Sequence, residues 1–194
     1  MAVKYLVRTT TNVSTGVDDF VYINYNAGSM GVALNDGSGV CGISDYAEFL
    51  NTIDCDLANF QFGDLDGDGR ADALCISATG DLSAWYNKDG GQDPREPNWV
   101  PSGHNPIKRG EGPRNRIRIA DIDGDGRVDY LVIDDAGNVN GWSNKLSSST
   151  LDGAPSLTFN AMGVISSGGT MGDIDGIQFV CYSKQSQRSA GKVC

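Results

Sequence analysis

Two nearly identical acidic segments, 57 residues apart, constrain this 194-residue chain more than any other feature. The first reads DLDGDGRAD and the second reads DIDGDGRVD. Each places aspartates at positions 1, 3, 5 and 9 around a glycine-rich bend, so that four carboxylates converge on one point. Without a cation, these carboxylates would repel one another by about 1–4 kcal/mol per pair. The spacing therefore predicts two sites for a hard cation.

The chemistry of the ligands favours calcium. All-oxygen ligation without histidine or cysteine is typical of Ca²⁺ rather than transition metals, and the ligand number exceeds what Mg²⁺ usually takes from protein. The predicted ligands are the four aspartates of each loop and the backbone carbonyl of its arginine: Asp64, Asp66, Asp68, Arg70 and Asp72 in the first loop, and Asp121, Asp123, Asp125, Arg127 and Asp129 in the second.

The surroundings of the loops exclude an ordinary EF-hand. An EF-hand requires a glutamate at position 12, where this chain has Cys75 and Val132. The segments that follow the loops, ALCIS and YLVID, are rich in strand-forming residues. We therefore predict that each loop joins two β-strands.

The similarity continues beyond the loops and defines a repeat. DALCISATGDLSAWYN at 72–87 aligns with DYLVIDDAGNVNGWSN at 129–144, and DFVYINYNAGSMGVALN at 19–35 is a third copy with one extra residue. Each unit holds a strand, a glycine-centred turn, a second strand and a closing asparagine. Alternation in the second strand predicts one face formed by residues such as Leu82, Ala84 and Tyr86.

Two copies of the repeat lack a complete acidic loop. The first has no carboxylates in its loop before Asp18, and the fourth matches only positions 1 and 3, with Asp173 and Asp175. We expect no calcium at either place. The predicted organisation is a single repeat domain over 1–194, with units at approximately 5–50, 58–103 and 115–160 and a partial unit at 161–194.

The length of the repeat predicts the fold class. A period of 53 to 57 residues that holds about four short strands has the size of one β-propeller blade. We predict an all-β protein with propeller-like blades of about four antiparallel strands. The chain holds about 3.4 repeats, whereas propellers usually need four to eight blades. It is then a fragment of a larger ring, a half-ring completed by a homodimer, or an open stack with capped edges.

The segments FGDLDGDGRADALC and IADIDGDGRVDYLV resemble the FG-GAP/VCBS repeats of integrin α-subunit propellers and of many secreted fungal and bacterial proteins. The resemblance covers most of residues 1–180 and is strongest at the two complete loops. It implies a β-propeller whose blades carry calcium in a hairpin loop, with aspartates at the positions matched above. It also suggests, as functional analogues, seven-bladed fungal lectins and the repeat regions of secreted hydrolases.

The net charge of −10 argues against nucleic acid as a partner. A local exception is a basic cluster just before the second loop, formed by Lys108, Arg109, Arg114, Arg116 and Arg118. These cations either face the acidic loop or solvate a blade edge, or they form a site for an anionic glycan that includes Arg114 and Arg116.

Cysteines and a glycosylation sequon favour a secreted, extracellular protein. The millimolar calcium outside cells, the expected disulfides and the Asn12-Val13-Ser14 sequon point towards secretion, although MAVKYLVRTT lacks a signal-peptide core. No apolar run is long enough to span a membrane. We expect two disulfides, Cys41–Cys55 and Cys181–Cys194, and a small buried hydrophobic side chain at Cys75.

The sequence shows no catalytic motif. The single histidine, His104, lies in a connection without a nucleophile elbow, and we expect it to be solvated. We predict a binding module for a glycan or an extracellular protein, in which Trp85 and Trp142 either stack on a sugar or pack between blades. The alternatives are a structural surface protein and a hydrolase, or its accessory domain, with carboxylates from the connections: Asp45, Glu48, Asp93 or Glu96.

Overall fold

The computed structural model of the protein describes residues 2–7, 19–24, 29–35, 41–46, 59–88, 98–151 and 154–168, with side chains at 59–88, 99–147 and 156–168. The predicted loops of the first and fourth repeats, at 11–18 and from 169 onwards, lie outside these residues. Among the described residues, no helix has the length and apolar character needed to cross a membrane.

The described residues form three four-stranded antiparallel sheets and one short 3₁₀ helix, Arg114–Arg116. The strands are β1 Ala2–Val7, β2 Asp19–Asn24, β3 Ser29–Asn35, β4 Cys41–Tyr46, β5 Phe60–Gly63, β6 Asp72–Ile76, β7 Leu82–Lys88, β8 Asn98–Pro101, β9 Ile117–Ala120, β10 Asp129–Ile133, β11 Val139–Leu151 and β12 Ala154–Ser166. Each sheet is a simple meander, in which every strand pairs with the next one along the chain.

The sheets are arranged around their first strands. β5 contacts both β1 and β9, which are the first strands of the neighbouring sheets. This is the arrangement of propeller blades, whose inner strands adjoin around an axis. The third sheet extends to Ser166, the last residue of β12. The boundaries of the repeat units stay predictions.

Burial in the second sheet follows the predicted alternation. Leu82, Ala84 and Tyr86 on β7 are buried, whereas Trp85 between them is only partly buried. All five residues of β6, and likewise of β10, are buried, because these central strands are covered on both faces.

The main core lies between the second and third sheets. It joins Leu74, Tyr86 and other β6 and β7 residues to Tyr130 and Val132 of β10. Leu65 and Val128, one from each acidic loop, belong to the same core. Full burial of a side chain the size of valine or leucine stabilises the fold by about 1.5–3 kcal/mol relative to its exposed state. A second cluster, Leu131, Ile133 and Val139, lies on the opposite face of the third sheet.

The connection between the second and third sheets is fixed to both of them. The Tyr130 hydroxyl donates to the Gly80 carbonyl at 2.8 Å. Lys108 Nζ lies 5.0 Å from the ring centroids of both Tyr130 and Trp142 and donates to Glu111 Oε1 at 2.7 Å. Its side chain is only 9% exposed, so this lysine holds the connection rather than facing solvent.

The outer hairpin of the third sheet is long and irregular. β11 and β12 have 13 residues each, and their pairing shifts register at three places along the hairpin. Gly163, at one of these irregular stretches of β12, has a φ of +75°. β12 is the outermost strand of its sheet.

Cys75 differs from expectation. It is buried in β6, but it is disulfide-bonded rather than a free apolar side chain. Its partner is one of the other four cysteines, whose side chains lie outside the described residues, so at most one of the two predicted pairings, Cys41–Cys55 and Cys181–Cys194, can form.

Candidate metal centre

Both acidic loops connect strands, as the sequence predicts. Residues 64–71 join β5 to β6, and residues 121–128 join β9 to β10. The glycines at positions 4 and 6 of each loop have φ values of 77–89°. This backbone conformation is open to glycine and strained for other residues, so the Gly-x-Gly pattern lets the chain fold back over the carboxylates.

The aspartate at position 1 organises the bend. In the first loop, Asp64 Oδ1 accepts from the Gly67 N–H at 2.7 Å and Oδ2 accepts from the Gly69 N–H at 2.8 Å. Asp121 makes the equivalent bonds in the second loop, at 2.7 and 3.0 Å. These bonds satisfy loop amides and set the side-chain orientation.

The aspartate at position 9 is the most deeply placed ligand candidate. Asp72 is fully buried; its Oδ2 accepts from the Leu65 N–H at 2.8 Å and its Oδ1 from the Asn87 N–H at 2.7 Å. Asp129 repeats both bonds, to Ile122 at 2.9 Å and to Asn144 at 2.8 Å. Each position 9 carboxylate is thus held by the start of its own loop and by the closing asparagine of its repeat.

Three carboxylates converge in each loop. They belong to positions 1, 3 and 9: Asp64, Asp66 and Asp72 in the first loop, and Asp121, Asp123 and Asp129 in the second. Within each group, one ligand atom per residue lies within 4.8 Å of the others. Two oxygens on opposite sides of Ca²⁺ would be about 4.6–5.2 Å apart, since each Ca–O distance is about 2.3–2.6 Å. The separations and the all-oxygen donor set fit a single Ca²⁺ in each loop.

The aspartates at position 5 lie outside these triads. Asp68 forms an ion pair with Arg70, and Asp125 forms one with Arg127. Their assignment as ligands therefore stays a prediction that requires these ion pairs to open. The carbonyl oxygens of the two arginines also stay predicted ligands; their side chains bond the closing asparagines, Arg70 Nε to the Asn87 carbonyl at 2.7 Å.

Burial disfavours the ionised form of several triad carboxylates. Burial raises the pKa of Asp72 well above its usual value, and the nearby Asp66 carboxylate adds to the rise. Burial likewise raises the pKa values of Asp64 and Asp129, with smaller contributions from neighbouring aspartates. Such shifts mean that the folded loop disfavours the ionised carboxylates, and a divalent cation would remove that penalty.

One lysine per loop supplies part of this charge. Lys88 forms an ion pair with Asp66, and Lys145 Nζ lies 2.7 Å from both Asp123 Oδ2 and Asp125 Oδ2. Hydrogen bonding from Lys145 lowers the pKa of Asp123. The spacing of the aspartates did not indicate these lysines. The sequence feature that could have indicated them is the Asn-Lys pair that ends both aligned repeats.

The candidate ligand-binding aromatics are packed against other groups. Trp142 meets the Tyr130 ring edge-on at 5.9 Å and lies under Lys108. Trp85 packs against Phe60 at 6.2 Å. Both indoles are only partly buried, and these contacts favour the packing interpretation over stacking on a sugar.

The basic cluster pairs with acidic residues at the opposite ends of the strands from the metal loops. Arg116 forms an ion pair with Asp135, and Arg109 Nη1 lies 3.8 Å from Asp81. Arg114 lies on the 3₁₀ helix and is partly buried. His104 is exposed, as expected. Arg109 and Arg116 therefore pair with acidic residues away from the second acidic loop.

Comparison with known proteins identifies the motif. Residues 64–132, which include both acidic loops, match the family model of the FG-GAP-like repeat. This segment is similar to FG-GAP-like repeats. The match confirms the resemblance drawn from the loop sequences. No curated protein matches the chain.

The fold resembles that of a fungal lectin. A solved structure of an Agrocybe aegerita lectin, described for its specific recognition of non-reducing terminal N-acetylglucosamine, aligns with a TM-score of 0.54 at 20% identity. The alignment covers 85% of this chain and 38% of the lectin chain. This chain therefore spans little more than a third of that lectin. At this identity the likeness concerns the fold, and it confirms the prediction of propeller-like blades of four antiparallel strands.

Proposed function

We propose that this chain is a calcium-stabilised, extracellular binding module with lectin-like recognition of carbohydrate. The observation that carries the proposal is the pair of carboxylate triads in FG-GAP-like loops that belong to a lectin-like fold. When bound, Ca²⁺ would supply positive charge to the triads. Asp68 and Asp125 would join the ligands as they leave Arg70 and Arg127.

The calcium sites serve the scaffold in this proposal. Leu65 and Val128 extend from the loops into the core between two blades, so fixing the loops also fixes the blade interface. If calcium binds only the folded state, a concentration 100-fold above Kd stabilises it by about 2.7 kcal/mol.

Calorimetry with and without EDTA tests the calcium part. A loss of about 2.7 kcal/mol corresponds to a fall in Tm of about 5–10 °C for a domain of this size. Asp66→Ala and Asp123→Ala should each reproduce part of the fall. Asp135→Ala is the matched control, since its exposed carboxylate pairs with Arg116 outside the loops. An EDTA-insensitive Tm would refute the assignment.

A glycan array tests the carbohydrate part. The array should be probed with the calcium-loaded chain and should include glycans with terminal N-acetylglucosamine, because the lectin with the similar fold recognises it. Sialylated and sulfated glycans test the proposal that Arg114 and Arg116 bind an anionic glycan. Trp85 and Trp142 are the aromatic residues predicted to contact a sugar. To test them, each should be replaced by Phe, which keeps an aromatic ring in the packing. An array without any bound glycan would favour a protein ligand or a structural role.

We further propose that two copies complete one ring. The three described blades are fewer than the four to eight of a closed propeller, and two copies would supply about 6.8 repeats, close to a seven-bladed ring. Light scattering should report a dimer. A strict monomer at all concentrations would remove the paired half-ring.

A further inference from the structure

We propose that the two acidic loops bind calcium cooperatively and that Asn144 is the residue that positions one loop against the other. This inference rests on the proposed calcium binding and concerns how the two sites communicate. It follows from a continuous path of buried hydrogen bonds between the two position 9 carboxylates.

The loops touch each other directly. The Val128 N–H, at position 8 of the second loop, donates to the Asp64 carbonyl of the first loop at 2.7 Å. Val128 also packs so closely on Gly63 that a Cβ added there would lie 2.7 Å from Val128 Cγ1. The backbone around Asp64 therefore cannot shift without moving the second loop.

Asn144 adds a second connection, and this one reaches ligand carboxylates on both sides. Its backbone N–H donates to Asp129 Oδ1 at 2.8 Å, and its side-chain Nδ2 donates to the Leu65 carbonyl at 2.7 Å. The Leu65 N–H in turn donates to Asp72 Oδ2 at 2.8 Å. The path from Asp129 through Asn144 and Leu65 to Asp72 joins the two triads.

Every residue on this path is buried. Asn144, Leu65 and Asp72 are fully inaccessible to solvent, and Asp129 is 1% exposed. Buried hydrogen bonds hold their geometry because breaking one leaves a polar group unsatisfied, at a cost of about 1–3 kcal/mol. The Asn144 Oδ1 atom is buried without a hydrogen-bond partner in the described part of the chain, so the amide group acts here through the bond that Nδ2 donates to the Leu65 carbonyl.

The path predicts that the coupling is positive, so that the first ion strengthens binding of the second. A cation that orders Asp72 also fixes Leu65, and Leu65 fixes Asn144 and with it Asp129. The second cation then meets a triad that is already ordered, so its binding loses less conformational entropy. Couplings of this type change affinity by about 5–150-fold.

Asn87 is a natural control for Asn144. It occupies the same position in the preceding repeat, and its N–H bonds Asp72 Oδ1 at 2.7 Å. Its Nδ2 donates to the carbonyl of Ala71, in the same loop, at 3.3 Å. Within the two acidic loops, the described bonds of Asn87 thus serve the first loop, whereas those of Asn144 span both.

The test is titration of the full chain with CaCl₂ by isothermal calorimetry, after removal of metal. The native chain should bind the second ion at least about fivefold more tightly than independent sites allow. Asn144→Leu and Asn144→Ala should reduce this excess while both sites still bind, since the direct contact through Val128 stays in place. Asn87→Ala should weaken the first site and keep the excess.

A second measurement does not depend on the folding of the Asn144 variants. In Asp66→Ala, which disables the first site, the second site should bind with at least about fivefold lower affinity than the second step of the native chain. Two independent sites in the native chain, or an unchanged excess in Asn144→Leu, would overturn the coupling and leave calcium binding intact. Absence of any binding heat and of any Tm shift would instead defeat the calcium sites themselves.

Discussion

Replacing Gly80 by Ala should destabilise the protein far more than the same change at Gly163. Both glycines have positive φ values, +87° and +75°. A Cβ at Gly163 would meet no atom within 4 Å. At Gly80 it would overlap the Gly112 carbonyl oxygen and would lie 2.9 Å from the Tyr130 hydroxyl oxygen. The pair separates backbone strain from loss of contacts between blades.

The expected magnitudes follow from these surroundings. The left-handed conformation costs an alanine about 1–2 kcal/mol, and the stiffer unfolded chain offsets about 0.4–1 kcal/mol of this at both positions. Gly163→Ala should therefore lose about 1 kcal/mol. Gly80→Ala must also displace Gly112 and disturb the 2.8 Å bond from Tyr130, which adds about 1–3 kcal/mol for a buried group left unpaired. Its total loss should be about 2–4 kcal/mol.

The assay is urea unfolding at saturating calcium, followed by tryptophan fluorescence, with the free energy of unfolding extrapolated to water. The connection that carries Gly112 packs near Trp142, so its displacement should also alter the native emission spectrum of Gly80→Ala. Equal losses in the two variants would show that the connection does not hold the blades together.

Three further predictions concern single side chains. Tyr130→Phe should lower the free energy of unfolding by about 1–2 kcal/mol in the same urea assay, because the Gly80 carbonyl loses its buried donor. Burial raises the pKa of Tyr130 to about 12, so this loss should not change between pH 6 and 9. Lys145→Met should bind calcium several-fold more tightly by calorimetry, since the ammonium no longer competes for Asp123, and an unchanged Kd would contradict competition. In EDTA, the free energy of unfolding should increase as the pH falls from 7 towards 4. Burial raises the pKa of Asp72 in the folded state. The folded chain therefore binds protons more readily than the unfolded chain, and a lower pH favours it. A decrease over this range would contradict the sign.

The local parts of the site were predictable from the sequence. Aspartate spacing and intervening glycines predicted that the carboxylates at positions 1, 3 and 9 meet, because all of them lie within nine residues of one loop; the predicted convergence of position 5 is not seen in the triads. The period-two pattern of Leu82, Ala84 and Tyr86 likewise reports the buried face of β7. The repeat length predicted blades of four strands, since each strand pairs with its sequence neighbour.

The contacts between repeats were not predictable in this way. Asn144 and Leu65 are 79 residues apart in sequence, and no local pattern indicates that the asparagine that closes one repeat reaches the loop of the previous one. Asp68 forms an ion pair with Arg70, and the spacing of the aspartates does not indicate this pairing. The sequence placed Lys108 in a basic cluster. Its position beside the Tyr130 and Trp142 rings depends on the path of the connection along the third sheet.

The irregular β12 strand has a consequence for solubility. An outermost strand offers unpaired backbone donors and acceptors to any extended chain, and regular, apolar edges promote aggregation. β12 exposes Met162 and Val164, yet its register shifts and the left-handed Gly163 interrupt a continuous ladder. These interruptions shorten the regular stretch of backbone that β12 presents to another extended chain.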